Sequence, residues 1–375
     1  MKIPFINLKS QYTDIQDPIN LAINKVLNHG QYIMGPEVFE LEKRLADYIG
    51  VKHVLACGSG TDALVLPLMA KGLKKEDAVF TTPFTFFASV ESISLAGATP
   101  VLVDIDPNTY NLCPHDLEKK IALVQSEGKL KAKGIIPVDL FGIAADYQSI
   151  QRIAEENNLF VLEDAAQSFG ATYMDKKAGN LADVAATSFY PAKPLGGYGD
   201  SGAIFTNDPE LYESLKSLRV HGQSSSGNKY DNERIGLNAR MDTIQAAVLL
   251  EKLKVYDREL ERRNEVAEHY TKRLSNACKT PFVPSNQGSV WAQYTIQVND
   301  REKLQTDLSA KGVPTAIFYP IPVHLSTAYK FLNYVDGDFP VAENASKHVI
   351  SLPMHPYLDS DTIDLICDLI FESIT

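Results

Sequence analysis

The chain has 375 residues, of which 45% are hydrophobic and 22% charged, and carries a formal net charge of -11. That suits a soluble enzyme of two domains with proper cores; the acidic balance argues against a nucleic-acid partner, which wants a basic face, and no run of about 18 apolar residues offers a membrane span. Cys57, Cys113, Cys278 and Cys367 lie far apart with no Cys-x-x-Cys or Cys/His cluster, so neither a metal centre nor a disulfide framework is expected, and without an apolar leader stretch the cytoplasm is the expected compartment.

The first piece with chemistry is Ala56-Cys57-Gly58-Ser59-Gly60-Thr61-Asp62-Ala63-Leu64. A strand-like Val54–Ala56 runs through a Gly-rich turn into an apolar helix. Backbone N–H groups and the Thr61 hydroxyl then gather at a helix N-terminus, a ready phosphate site. A plain structural turn is the alternative. The third glycine of a dinucleotide fingerprint is missing, since position 63 is Ala, and no Gly-Lys-Ser/Thr follows.

Short apolar runs at 78–81, 100–104, 134–138 and 203–206 alternate with helical patterns up to about residue 245. Such alternation predicts a mostly parallel sheet with helices on both faces. Leu159 to Asp164 reads as one more buried strand, whose carboxyl end would put Asp164 at the ligand crevice. A carboxylate there either caps a following helix or keeps a heteroaromatic nitrogen protonated.

Lys193 stands in Ser188-Phe189-Tyr190-Pro191-Ala192-Lys193-Pro194-Leu195-Gly196-Gly197. The residue before a proline is pushed out of helical geometry, so this lysine belongs to a loop, among aromatic and apolar neighbours. Desolvation there lowers an amine's pKa and frees it for Schiff-base chemistry. The alternative is an ordinary solvated lysine.

Asp242 to Leu274 reads as one long helix, with Ile244, Ala247, Val248 and Leu250 on an apolar face and the charge run 257–263 as a solvated face. Pro281 to Pro284 opens a smaller unit with a strand over 292–298 and a helix over 301–311. Domains are therefore expected at 1–245 and 246–375, the second of α+β type.

Taken together, phosphate turn, strand-tip carboxylate and loop lysine fit pyridoxal 5'-phosphate chemistry. The chain resembles the DegT/DnrJ/EryC1/StrS family of sugar aminotransferases, of fold-type I, over nearly its whole length. The resemblance rests on Gly35-Pro36-Glu37-Val38, the 58–64 turn, Glu163-Asp164-Ala165-Ala166-Gln167-Ser168, the lysine loop, and Asn238-Ala239-Arg240-Met241-Asp242. Within the family it is most similar to members that aminate C-3 of a nucleotide-linked keto-sugar.

What the resemblance implies is specific. Lys193 forms the Schiff base and shuttles the proton; Asp164 pairs with the pyridinium nitrogen, and Gln167 lies near the ring's phenolic oxygen. Gly60, Thr61 and Ser188 hold the phosphate, Phe86 stacks on the ring, and Asn238 reaches the phosphate of a neighbouring subunit, in a homodimer with shared sites. The loop 224–227 would lie beside substrate, and Arg240, Tyr319 and His324 would bind the nucleotide sugar. L-glutamate would be the amino donor, and the product a sugar for surface polysaccharide such as O-antigen. Relatives that dehydrate sugars carry histidine where Lys193 stands. Phe318 replaces a histidine expected in uronate-using relatives, which favours a neutral dTDP- or UDP-linked 3-keto-6-deoxyhexose; Arg240 suits a carboxylate, which favours UDP-2-acetamido-2-deoxy-3-keto-glucuronate. Amination at C-4 and a non-catalytic nucleotide-sugar-binding regulator are the alternatives.

Overall fold

The computed structural model describes residues 3–224 and 230–374; Ser225, Ser226 and Gly227 of the predicted serine-rich loop lie outside the described residues. Seven strands form the main sheet: β1 (His53–Cys57), β2 (Asp77–Thr81), β3 (Thr99–Leu102), β4 (Lys131–Ile135), β5 (Phe160–Asp164), β6 (Val184–Ser188) and β7 (Gly202–Thr206). Their order is β1-β7-β6-β5-β4-β2-β3. β7 is antiparallel to both its neighbours, and the pairs from β6 through β3 are parallel.

Both faces of the sheet are buried, which is why its strands read as continuous apolar runs. Successive residues face opposite sides. Leu55, Val79 and Leu162 pack with the helices Gly60–Ala70 and Pro209–Leu218. Their chain neighbours Val54, Phe80 and Val161 pack the other way, Val54 against Leu41 and Leu45 of helix Pro36–Ile49, Phe80 and Val161 against Ile150 and Ile153 of helix Tyr147–Asn157. The predicted mostly parallel sheet between helical layers is what forms.

The expected single helix from 242 to 274 is two, Thr243–Leu253 and Tyr256–Leu274, with the chain turning at Lys254 and Val255. The halves have different cores to serve. Ala246 to Leu249 are buried against the N-terminal layers, whereas Val266, Ala267, Tyr270 and Leu274 pack into a second core. The expected boundary near residue 245 falls within the first of these helices. The charge run is not wholly solvated either. Glu259 and Arg263 share the helix face of Tyr256 and Val266 and are buried with it.

That second core is built on strands β8 (Tyr294–Gln297) and β9 (Val349–Leu352), an antiparallel pair. Helices Tyr256–Leu274, Arg301–Ala310 and Ser360–Ile374 cover it through Leu304, Leu308, Ile363, Ile366 and Ile370. Ala316 bridges to Ser351 at the edge of β9, so the residues just after it, Phe318 and Tyr319, are carried to the mouth of the main sheet.

Candidate active site

A cavity of about 770 Å³ opens at the carboxyl ends of the parallel strands. It is lined by Gly60 and Thr61 after β1, Asp164 at the tip of β5, Ser188 at the tip of β6, and Lys193 on the loop that follows. Parallel sheets collect ligands at this end because strands stop there and helices begin.

The turn 58–60 ends in helix Gly60–Ala70, whose N-cap is Ser59; its side chain accepts from the Asp62 N–H at 3.0 Å. The first N–H groups of a helix have no intrahelical partner, and they meet the Ser188 hydroxyl here. A Cβ on Gly60 would stand 2.6 Å from the Ser188 Cβ, so only glycine lets the helix end close on the strand tip. The result is a cluster of N–H and O–H donors that suits a phosphate.

Asp164 is buried. Its Oδ2 accepts from Ser89 Oγ at 2.7 Å and its Oδ1 from the Ala166 N–H at 3.2 Å. No helix starts at 165, so the carboxylate caps a turn rather than a helix. Burial raises its pKa, against the pull of those donors and of Lys193. Lys193 is partly exposed at the cavity wall, and desolvation still pushes its pKa down despite the attraction of Asp164. A buried carboxylate short of a cation and an amine driven toward its neutral form are what a pyridinium nitrogen and a reactive carbonyl require.

Gln167 spans the site. Its Oε1 accepts from the Phe141 N–H at 2.8 Å, and its Nε2 donates to the Tyr319 hydroxyl at 3.0 Å. Of the three neighbouring phenylalanines, Phe84 is fully buried in core and Phe87 packs on Tyr329, while Phe86 is 58% exposed and lines the cavity. An apolar ring held open to a cavity, 6.4 Å from Tyr319 between centroids, is placed to cover a planar ligand.

Three expected residues do not line this cavity. His324 is 2% exposed; its Nε2 pairs with Glu343 Oε1 at 3.0 Å and its ring packs on Phe339. It is a core residue of the 323–348 segment, held inward by Glu343 and away from the cavity lining. Asn238 and Arg240 lie on the outer side of the phosphate turn, joined by an Arg240 Nε to Asn238 Oδ1 bond of 2.8 Å, with Arg240 bridged to Cys57. Residues not anticipated are Ser89, Thr85, Phe5, Ile6 and Gln293, which also line the cavity. The Thr85/Ser89 spacing of one helical turn was a readable signal; the arrival of Phe5 and Ile6 from the N-terminus was not. Among the described residues no cluster of ligating side chains could hold a metal ion.

Phosphate donors, a strand-tip carboxylate and a desolvated lysine around one cavity of a mostly parallel sheet define a pyridoxal-phosphate-dependent aminotransferase of fold-type I. Residues 13–371 match the DegT/DnrJ/EryC1/StrS aminotransferase family, and the chain belongs to it. It is 48% identical over 366 residues to UDP-2-acetamido-2-deoxy-3-oxo-D-glucuronate aminotransferase of Pseudomonas aeruginosa, covering 97% of this chain and 98% of that one. It is 39% identical to dTDP-3-amino-3,6-dideoxy-alpha-D-galactopyranose transaminase of Aneurinibacillus thermoaerophilus, covering 98% of each. Among solved structures, a DegT DnrJ EryC1 StrS aminotransferase from Brucella abortus matches with a TM-score of 0.96 at 49% identity over 99% of both chains. NtdA from Bacillus subtilis, with bound cofactor PMP, matches with a TM-score of 0.91 at 30% identity, over 100% of this chain and 85% of that one.

Proposed function

We propose that the protein transfers an amino group from L-glutamate to the C-3 keto group of a nucleotide-linked sugar, UDP-2-acetamido-2-deoxy-3-oxo-glucuronate in the first instance. The observation that carries this reading is that Lys193 and Asp164 face one cavity above the 58–61 helix turn. The two relatives named above both carry their reacting nitrogen or oxygen at sugar position 3, and the one with the uronate substrate is the more similar at 48% identity. Phe318 lines the cavity and offers a carboxylate nothing. In this reading the uronate carboxylate is met by Arg240 of the neighbouring subunit, a guanidinium suited to bidentate contact.

The cofactor supplies an electron sink for charge that develops beside the transferred nitrogen. The chain's residues do the rest. Gly60, Thr61 and Ser188 would hold the phosphate, Asp164 would keep the ring nitrogen protonated, and Gln167, Tyr319 and Phe86 would enclose the ring. Lys193 Nζ, whose pKa desolvation lowers, would take a proton from the donor carbon in the first half-reaction and deliver one to the sugar carbon in the second. Proton transfer by a base so placed is worth about 10²–10⁴-fold.

The working form in this account is a cytoplasmic homodimer. Asn238 is exposed on the chain's own surface, and the apolar side chains of Tyr32, Ile33 and Ile235 are exposed nearby, with Ile33 bridged to Asp242. Apolar surface flanking polar site residues is what a closed two-fold contact would cover. Asn238 would then complete the partner's phosphate site. The aminated sugar is of the kind used in surface polysaccharide. The test is a panel of nucleotide-linked 3-keto and 4-keto sugars with glutamate, read by product mass. Amination of 4-keto substrates alone would overturn the C-3 assignment.

A further inference from the structure

The loop that carries Lys193 lies on one face of helix Thr243–Leu253, and two polar side chains of that helix grip its backbone. Gln245 and Lys252 stand two helical turns apart, and so on one face. Gln245 Oε1 accepts from the Tyr198 N–H at 2.8 Å. The contact is close: a Cβ on Gly199 would come within 2.7 Å of Gln245 Nε2, and one on Gly197 within 2.9 Å of its Oε1. Lys252 is 2% exposed, and its ammonium donates to the Gly196 carbonyl. It also sits 5.2 Å from the centre of the Tyr198 ring. Among the described residues Lys252 forms no ion pair within bonding distance of a carboxylate; its hydrogen-bond partner is a loop carbonyl.

A buried ammonium is costly unless paired, and replacing it by an apolar side chain is often neutral or stabilising. Lys252 therefore does not earn its place through stability. Burial pushes its pKa down to about 8; Glu259 on the next helix attracts the charge and Arg263 repels it.

We propose that Gln245 and Lys252 are positioning residues for the transamination: they clamp the 196–199 backbone to helix Thr243–Leu253 and thereby hold Lys193 Nζ in the cavity. Gln245 fixes an N–H of the loop and Lys252 a carbonyl, so the loop can neither shift along the helix nor lift from it. The three glycines of the loop are needed because side chains there would collide with the clamp or with the loop's own turn, where a Cβ on Gly196 would lie 2.5 Å from the Pro191 carbonyl oxygen. A misplacement of about 1 Å in such a group costs on the order of 100-fold in rate.

The inference rests on Lys193 being the residue that reacts with the cofactor, and the test keeps the two claims apart. Lys252→Met and Lys252→Gln are compared with the parent and with Lys193→Ala. For Lys252→Met the expected results are an unfolding midpoint at or above the parent's and faster hydrogen exchange in residues 190–199 of the cofactor-free protein. In the loaded protein, the pH midpoint of the cofactor absorbance shifts, and kcat falls about 10–100-fold with KM for the keto-sugar within about twofold. Lys252→Gln, which keeps a donor for the Gly196 carbonyl, should recover part of the rate and slow the exchange again. Parent-like exchange and absorbance midpoint in folded Lys252→Met overturns the clamp, and so does failure of both variants to fold, which would make Lys252 a residue of the fold alone. If Lys193→Ala keeps the parent's absorbance, the assignment of Lys193 falls first.

Discussion

Ser89 and Asp164 are joined across the sheet: the Ser89 hydroxyl, on helix Phe87–Leu95, donates to Asp164 Oδ2 at 2.7 Å, and Thr85 Oγ1 stands 2.8 Å from the same hydroxyl. Both ends are buried. The bond fixes which way the carboxylate turns and favours its ionised form, against the desolvation that raises its pKa. Hydrogen bonds to a charged group contribute about 1.5–3 kcal/mol. Ser89→Ala should therefore weaken cofactor binding by about tenfold or more and raise the pH needed for full activity. Fluorescence titration of the cofactor checks this; unchanged affinity would make Ser89 a packing residue.

Asp164→Asn keeps the shape and both hydrogen-bond acceptors' neighbours but cannot stay anionic. The protein should fold as well as the parent, since a buried charge is removed. Turnover should fall by at least about 100-fold, as for loss of one preorganised electrostatic contact. Circular dichroism and kcat measured together decide it, and near-parent turnover in a folded variant would reduce Asp164 to a turn cap.

His324 gives the opposite expectation. Glu343 accepts from its Nε2 and also from the Gly337 and Phe339 N–H groups at 2.9 and 3.2 Å. His324→Ala should cost about 1–3 kcal/mol of stability by leaving buried polar groups short of a partner. KM for the sugar should stay within about twofold. A large rise in KM at unchanged stability would return His324 to the substrate site.

His355 sets an acid limit. Burial, with the Arg263 charge adding, pushes its pKa down to about 4 from 6.5. The unfolded chain then binds the proton that the folded chain refuses. This contribution is fully present above pH 6.5 and is lost as pH falls through about 4, by up to ~3 kcal/mol. In His355→Gln that part of the pH dependence should vanish, as urea unfolding at about pH 7 and about pH 4.5 would show. An identical pH slope in the variant would contradict the assignment.

If Asn238 serves the neighbouring site, Lys193→Ala and Asn238→Asp should complement each other in mixed dimers, because one of the two sites would then hold both parent residues. Recovery should approach about half the activity of a parent dimer per heterodimer. An active monomer in sedimentation, or no recovery from heterodimers shown to have formed, would rule out sharing.

The parts of the site that lie within one segment were readable. Lys193-Pro194 announces a loop because proline forbids a helix there, and Leu159–Asp164 announces a strand tip because its apolar run stops at a carboxylate. Phe86 could be separated from Phe84 and Phe87 only once the strand and helix ends fixed which ring faced core. That His324 is buried away from the cavity lining could not be read from its Pro-rich turn, because it is Glu343, nineteen residues on, that turns it inward. The helix over 242–274 was read as one because propensity is continuous through Lys254 and Val255; the turn there follows from two cores that no local pattern separates. Glu259 and Arg263 were hidden for the same reason, since a charge run gives no sign of which of its members face Gln11, Tyr357 and Trp291.

The central claim is that Lys193 is the residue that bonds to the cofactor, and borohydride reduction tests it most directly. Reduction of the loaded protein converts a lysine–cofactor linkage to a stable secondary amine, and peptide mass mapping then locates it. The account predicts a single cofactor-sized addition on the peptide containing Lys193, absent from Lys193→Ala. An addition on Lys252, a buried lysine whose pKa is also lowered, or the same addition surviving in Lys193→Ala, would contradict it.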